Sequence, residues 1–213
     1  MNLNRDTLVQ CNELRFMHYH LKANRLNNSI TIPNLGLIIL AAVLPVSSVA
    51  LHSLEWIPIR WMIIPNIIMI SICCYYLFNS DTYKKIISHG WIAGLIAVLI
   101  YDLSRIPFIY AGWDDFIPGL GGAITGAEEN FTIGYLWRYL GNGAGLGLGF
   151  AALSHFFKFK RTILAGLIYG VCVFLCLDIV LISSEQAQAN MFEITPLTFT
   201  GSLVGHVVYG TVL

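Results

Sequence analysis

Six long apolar stretches dominate this 213-residue sequence and restrict what it can fold into. A helix needs about 20 apolar residues to cross the ~30 Å hydrocarbon core of a bilayer. The stretches are continuous rather than alternating, which favours helices over a β-barrel. The sequence therefore predicts an all-α integral membrane protein, with a membrane domain over 32–213. Its six predicted spans are 35–52, 58–79, 90–111, 131–154, 162–182 and 196–213.

Composition agrees with a chain embedded in the lipid bilayer. Hydrophobic residues make up 56% of the chain and charged residues 11%, against roughly 25% charged residues in soluble domains. Twelve lysines and arginines balance twelve aspartates and glutamates, so no net charge attracts nucleic acid. We therefore expect the bilayer as a partner and no nucleic acid.

Basic residues indicate which side of the membrane each connection faces. They occur before the first span, between spans two and three, and between spans four and five, whereas the other connections are acidic or mixed. Cytoplasmic loops are enriched in Lys and Arg, so both termini are predicted to be cytoplasmic in a multi-pass protein of the cell membrane. Residues 1–31 are predicted as a cytoplasmic segment that could form a surface helix. This segment is too long to precede the apolar part of a signal peptide, so the first span is not expected to be removed by cleavage.

Glycines distinguish the fourth span and the longest connection. Gly141, Gly145 and Gly149 form one row at helical spacing, beside a second row of Gly143 and Gly147. Such rows allow close approach of backbones, which predicts a central helix in the bundle; a homodimer face is the alternative. Glycines and a proline argue against a regular helix in the outer loop at 112–130, which is either a re-entrant or lid-like segment or a plain external loop.

Several ionisable and polar side chains lie at similar predicted depths in spans three to six. A charged side chain at the centre of a bilayer costs about 2.5 to 3.5 kcal/mol, so these groups are expected to face one another. One interpretation is an ion-pair network that fixes helix register, and the other is a functional site. The candidates are Asp102 and His206 as catalytic acid and base groups, and Arg105, Arg138, Asn142, Asp178 and Tyr209 as binding residues.

The same spans carry three short motifs. They are YDLSR at 101–105, NG at 142–143 and GHVVYG at 205–210. Together these motifs resemble an uncharacterised family of small polytopic bacterial membrane proteins over roughly 90–213. The resemblance implies a location in the bacterial inner membrane and supports treating Asp102, Arg105, Asn142, His206 and Tyr209 as one set. It implies no reaction.

No cofactor or resident metal is expected. The acidic residues of the outer loop predict a solvated rim, with a divalent-metal site that includes Asp178 and His206 as the less favoured alternative. Those loop residues are Asp114, Asp115, Glu128 and Glu129. Haem is disfavoured because no second histidine lies at the predicted depth of His206.

Three classes of function remain open from the sequence. The leading hypothesis is a transporter or channel for a small polar or anionic solute that enters from the outer side, with Arg105 and Arg138 as anion contacts. The second is an intramembrane enzyme that acts on a lipid-linked substrate. The third is a non-catalytic assembly or sensor subunit. A homo-oligomer would supply the symmetry that the two halves of the chain lack.

Overall fold

The computed structural model describes residues 32–213, apart from the side chains of Ile32, Pro33, Leu77, Phe78 and Thr82. The predicted surface helix within 1–31 lies outside the described residues. Over 32–213 the chain is helical and contains no strand. The helices are α1 (Ile32–Ser53), α2 (Ile59–Asn79), α3 (Asp81–Tyr110), α4 (Ile117–Thr125), α5 (Phe131–Leu136), a π-helical segment (Trp137–Gly143), α6 (Ala144–Phe157), α7 (Thr162–Ser183), α8 (Glu185–Asn190) and α9 (Pro196–Val212).

Four of these helices are long and apolar enough to cross a membrane. The qualifying segments are Asn34–Ser53, Ile59–Tyr76, Tyr83–Tyr110 and Thr162–Ser183. Only 17% to 33% of the residues in their most apolar windows are buried inside the protein. Apolar side chains that the fold leaves uncovered need a lipid environment, so the membrane-embedded class predicted from the sequence is confirmed.

The predicted fourth and sixth spans are helical, although neither is among those four segments. The fourth corresponds to α5, the π-helical segment and α6, which follow one another without a break over 131–157. The sixth corresponds to α9, which has 17 residues. The predicted third span is longer than expected, because α3 begins at Asp81 and includes Lys84 and Lys85 in its first turns.

Two rows of glycines allow the π-helical segment and α6 to approach their neighbouring helices closely. A Cβ atom on Gly147 would lie 2.4 Å from the carbonyl oxygen of Gly90 in α3. A Cβ atom on Gly145 would lie 2.6 Å from the carbonyl oxygen of Ala42 in α1. Side chains larger than hydrogen cannot fit at such distances, so α6 packs on α3 with one row and on α1 with the other.

The connections after α1, α3 and α7 meet at one end of the bundle. Asn190 of α8 donates a hydrogen bond to the carbonyl oxygen of Ser53 at the end of α1. A buried apolar cluster joins the same segments. Its members are Val49, Ile59, Trp113, Leu120, Leu181, Met191 and Phe192. We call this the end cluster.

The 112–130 connection contains a helix that the sequence argues against. Pro118 lies in the first turn of α4, where its missing N–H removes no helical hydrogen bond. Gly121 of α4 and Gly134 of α5 lie at the contact between the two helices, where a Cβ atom would meet the other segment's backbone at 1.9 and 2.1 Å respectively. Gly121 and Gly134 therefore allow the two helices to pack closely.

Candidate functional site

A cavity of about 440 Å³ lies inside the bundle, next to the end cluster. Residues of α1 and α7 form two of its sides, and the rest of the wall comes from α3, the π-helical segment, α6, α9 and the connections after α3 and α8. The wall is largely apolar. The charged or strongly polar residues on it are Arg105, Arg138, Asn142 and His206. Four of the seven residues that the sequence singles out therefore share one wall.

Arg138 forms an ion pair with Asp102 across the contact between α3 and the π-helical segment. The Nε atom donates to both carboxylate oxygens, at 2.8 and 3.0 Å, and Nη2 donates to Oδ1. The guanidinium also lies over the ring of Tyr101, 4.8 Å from its centroid. The Arg138 residue is 9% exposed. Asp102 is not on the cavity wall, so its carboxylate neutralises Arg138 from behind.

Arg105 pairs with a residue that the sequence analysis assigns to a solvated rim. Its Nη2 atom donates to Oδ1 of Asp115, while Oδ2 accepts a 2.7 Å hydrogen bond from the Tyr135 hydroxyl. The side chain of Asp115 is 20% exposed, and Arg105 as a whole is 2% exposed. The rim prediction is wrong for Asp115, because the chain after α3 folds back over Arg105. Asp114, Glu128 and Glu129 are exposed.

The environment of Asp115 favours its ionised form. Burial alone raises the pKa of its carboxyl, but hydrogen bonds from Tyr135, Arg105 and the Ile117 N–H, together with the Arg105 charge, outweigh burial and hold the pKa below its ordinary value of 3.8. A depressed pKa stabilises the folded state above the unfolded pKa, and this contribution disappears as the pH falls through the folded pKa.

We therefore expect the stability difference between wild type and Asp115→Asn to depend on pH. The difference should be constant near neutral pH and should narrow as the pH falls through about 3.8, where half of the unfolded carboxyl groups are protonated. Thermal unfolding of both proteins from pH 7 to pH 3 in one detergent measures this. A stability difference that stays constant down to pH 3 would show that the contact with Arg105 does not lower the pKa of the Asp115 carboxyl.

His206 presents one ring nitrogen as an acceptor. Its Nδ1 atom lies 2.8 Å from the Ser202 carbonyl oxygen, which can only accept, so in the neutral ring Nδ1 carries the proton. The Nε2 atom is then the acceptor. The ring packs edge-on against Tyr101, with centroids 5.2 Å apart. A proton shuttle between Asp102 and His206 stays a prediction, since only His206 lines the cavity.

Two residues on the cavity wall have buried polar atoms without a hydrogen-bond partner among the described residues. They are the amide oxygen of Asn142 and the indole N–H of Trp113. An unpaired buried polar group destabilises a fold by about 1 to 3 kcal/mol. Asn142 also lies in the π-helical segment, and such departures from α-helix are frequent at functional sites. Both atoms are closed off from the cavity space, so they are a cost to the fold and not ligand contacts. The π-helical segment on the cavity wall is the feature that is typical of a functional site.

Asp178 and Tyr209 are buried but do not line the cavity. Asp178 shares a face of α7 with Gly170 and Phe174, and α7 packs against α9. The Tyr209 hydroxyl donates a 2.6 Å hydrogen bond to the Gly143 carbonyl oxygen, which ties α9 to the π-helical segment. Their predicted binding roles gain no support from the cavity. The described residues contain no group of three or more His, Cys, Asp or Glu side chains placed to hold a metal ion.

Trp113 is a site residue that the sequence reasoning missed, and Asp115 was predicted in a solvated rim and not as the partner of Arg105. The signal was present, because both follow the end of span three and Arg105 lies ten residues before Asp115. A loop that returns toward its own helix brings such residues together, but loop direction cannot be inferred from spacing.

No family model matches this chain, and neither does any curated protein or solved structure.

Proposed function

We propose that this protein is a multi-pass membrane carrier whose cavity binds a small molecule with a polar or anionic group. The observation that carries the proposal is the presence of two buried guanidinium groups, those of Arg105 and Arg138, on the wall of one cavity. Ligand sites are mostly apolar cavities of about 300 to 1,000 Å³ with a few convergent polar groups. The cavity has this character and size.

The guanidinium groups retain capacity for a ligand after their ion pairs are made. Arginine has donors on three nitrogen atoms. Among the described contacts, Arg105 uses only Nη2 and Arg138 uses Nε and Nη2. Both positive charges are balanced by carboxylates, which lowers the energetic cost of holding them inside a membrane protein when no ligand is bound.

The proposal includes a topology. Six spans with both termini in the cytoplasm would place the glycine-rich helix around the π-helical segment at the centre, where it contacts α1 and α3. The close approaches at Gly145 and Gly147 support this position. In that topology the end cluster lies on the outer side of the cell membrane, and the Arg105 and Arg138 side chains lie in the outer half of the bilayer.

A carrier is favoured over a channel by the shape of the cavity. A channel needs a continuous polar pathway, whereas the end cluster closes one end of this cavity with Trp113, Met191 and Phe192. A chamber of this kind holds a bound molecule. Its release then requires the helices or the end cluster to move.

The variant Asn142→Leu distinguishes a ligand-binding role of Asn142 from a structural role. The substitution removes the unpaired amide oxygen and leaves a side chain of similar size, so we expect stability to be unchanged or higher. We also expect the variant to retain much less of a molecule that copurifies with wild type at about one per chain, because leucine cannot replace the polar amide group on the cavity wall. Thermal unfolding and mass spectrometry of the extracted small molecules measure the two effects. An equal content of bound molecule in both proteins would contradict the proposal.

A further inference from the structure

We propose that the occupant of the cavity is an anionic amphiphile, with a carboxylate or phosphate head and an apolar chain, which enters from the bilayer between α1 and α7. This inference rests on the proposed function, because it names the class of ligand for the same cavity. It differs from the expectation of the sequence, which is a solute that enters from the outer side.

The end of the cavity nearest the connections is closed by large apolar side chains. Trp113 and Phe192 pack edge to face with ring centroids 5.1 Å apart, and Phe116 lies beside Phe192 at 5.8 Å. These three residues and Met191 all line the cavity. A water-soluble ion that entered here would have to displace an aromatic cap.

The sides of the cavity offer a different entrance. Helix α1 packs against α2 and α6, and α7 packs against α9, but α1 and α7 form no extended interface with each other. Both helices nevertheless contribute cavity wall, so the space between them is filled by the cavity rather than by side chains. Both are also long and apolar enough to span a membrane. Lipid acyl chains would therefore lie against this gap.

The wall on both sides of the gap suits an apolar chain. Helix α1 contributes small aliphatic side chains that include Val43, Val46 and Ala50, and α7 contributes Val173 and Leu177. Cys172 and Cys176 lie on the same wall and are exposed. No acidic or basic residue of either helix lines the cavity. A purely polar solute would leave this surface without complementary contacts.

The polar part of the wall selects for an anion. Both oxygens of Asp102 accept hydrogen bonds from Arg138, and both oxygens of Asp115 are engaged by Arg105 or Tyr135. The acidic groups are therefore satisfied, while the two guanidinium groups still have nitrogen atoms free to donate. Carboxylate and phosphate oxygens match guanidinium donors in geometry and charge. A cationic head group would find no carboxylate among the described residues of the cavity wall.

Radiolabelled oleate tests the inference on the full chain in phosphatidylcholine nanodiscs, with empty nanodiscs as background. We expect saturable binding of one oleate per chain, with competition by lysophosphatidate. Acetate, inorganic phosphate and lysophosphatidylcholine should not compete. The stronger competitor of oleate and lysophosphatidate identifies the source of the head group as a free fatty acid or a phospholipid.

Two cysteine variants locate the site. Cys176→Phe places a large side chain on the cavity wall of α7 and should weaken oleate binding roughly tenfold or more, the effect of losing about 1.4 kcal/mol of contact. Cys74→Phe is the matched control, since Cys74 is also an exposed cysteine on a spanning helix but does not line the cavity. It should bind oleate as wild type does.

The outcomes separate this inference from the proposed function. Competition by acetate or phosphate as strong as that by lysophosphatidate would show a water-soluble ligand, which overturns the inference and leaves the carrier proposal standing. Equal effects of the two cysteine variants would place the binding outside the cavity and also overturn the inference. Absence of saturable binding by every probe overturns it too. If, in addition, nothing copurifies with wild type, the carrier proposal is wrong as well.

Discussion

Asp102→Asn is expected to lower the free energy of unfolding by about 3 to 5 kcal/mol, the usual effect of leaving one member of a buried ion pair without its partner. Arg138 would keep its charge at 9% exposure, with the ring of Tyr101 as its remaining described contact. Arg138→Met should have a similar effect, since it leaves the carboxylate unpaired.

The double variant Asp102→Asn with Arg138→Met distinguishes pairing from a general intolerance of substitution. Removal of both charges should recover most of the stability, because no charge is left unpaired. Asp114→Asn is the matched control, since Asp114 is exposed, and its effect should stay within about 0.5 kcal/mol. Thermal and denaturant unfolding in one detergent measure all four variants. A double variant that is as unstable as the sum of the single variants would contradict the pairing.

Gly147→Ala is expected to destabilise the bundle by about 1 to 3 kcal/mol or more, as overpacking of a close contact does. The added methyl group would lie 2.4 Å from both the Gly90 carbonyl oxygen and the Gly94 Cα atom. Both obstacles are backbone atoms of α3, so no side-chain rotation can relieve the clash. Helices α3 and α6 would have to separate.

Gly36→Ala is the control for this substitution. Gly36 lies in α1, and a Cβ atom there would meet nothing within 4 Å. The change should be neutral or should stabilise the helix by up to about 1 kcal/mol, the difference in helix propensity between glycine and alanine. Unfolding of the two variants beside wild type is the measurement. Equal stability of Gly147→Ala and Gly36→Ala would show that α3 and α6 do not meet as closely as described.

The membrane class and the inward-facing charges could be predicted because they follow from local properties of the sequence. Apolar stretches near 20 residues long have few alternatives to spanning helices, and charged groups at one depth must find partners. This reasoning placed Asp102 and Arg138 on facing helices, where the structure pairs them. It failed for Arg105, because the partner Asp115 comes from a loop whose path depends on tertiary packing.

The short helix α4 and the cavity could not be predicted from the sequence, because both also depend on tertiary packing. Glycines at 121 and 122 favour a loop when considered locally, but Gly121 is required by the contact of α4 with the start of α5, and Gly122 by the contact with the connection at 127–128. The cavity depends on α1 and α7 lying apart while both pack on other helices. No pattern of residues indicates that two helices distant in the sequence are separated by a gap in the folded protein.

Mass spectrometry of the small molecules extracted from the purified wild-type protein, quantified per chain, tests most directly whether the cavity binds a ligand. We expect one anionic, chain-bearing molecule per protein chain, retained through detergent exchange and strongly reduced in Asn142→Leu prepared in parallel. A wild-type preparation that contains only the bulk lipids found in Asn142→Leu, in the same proportions, would contradict the claim that this cavity is a ligand site.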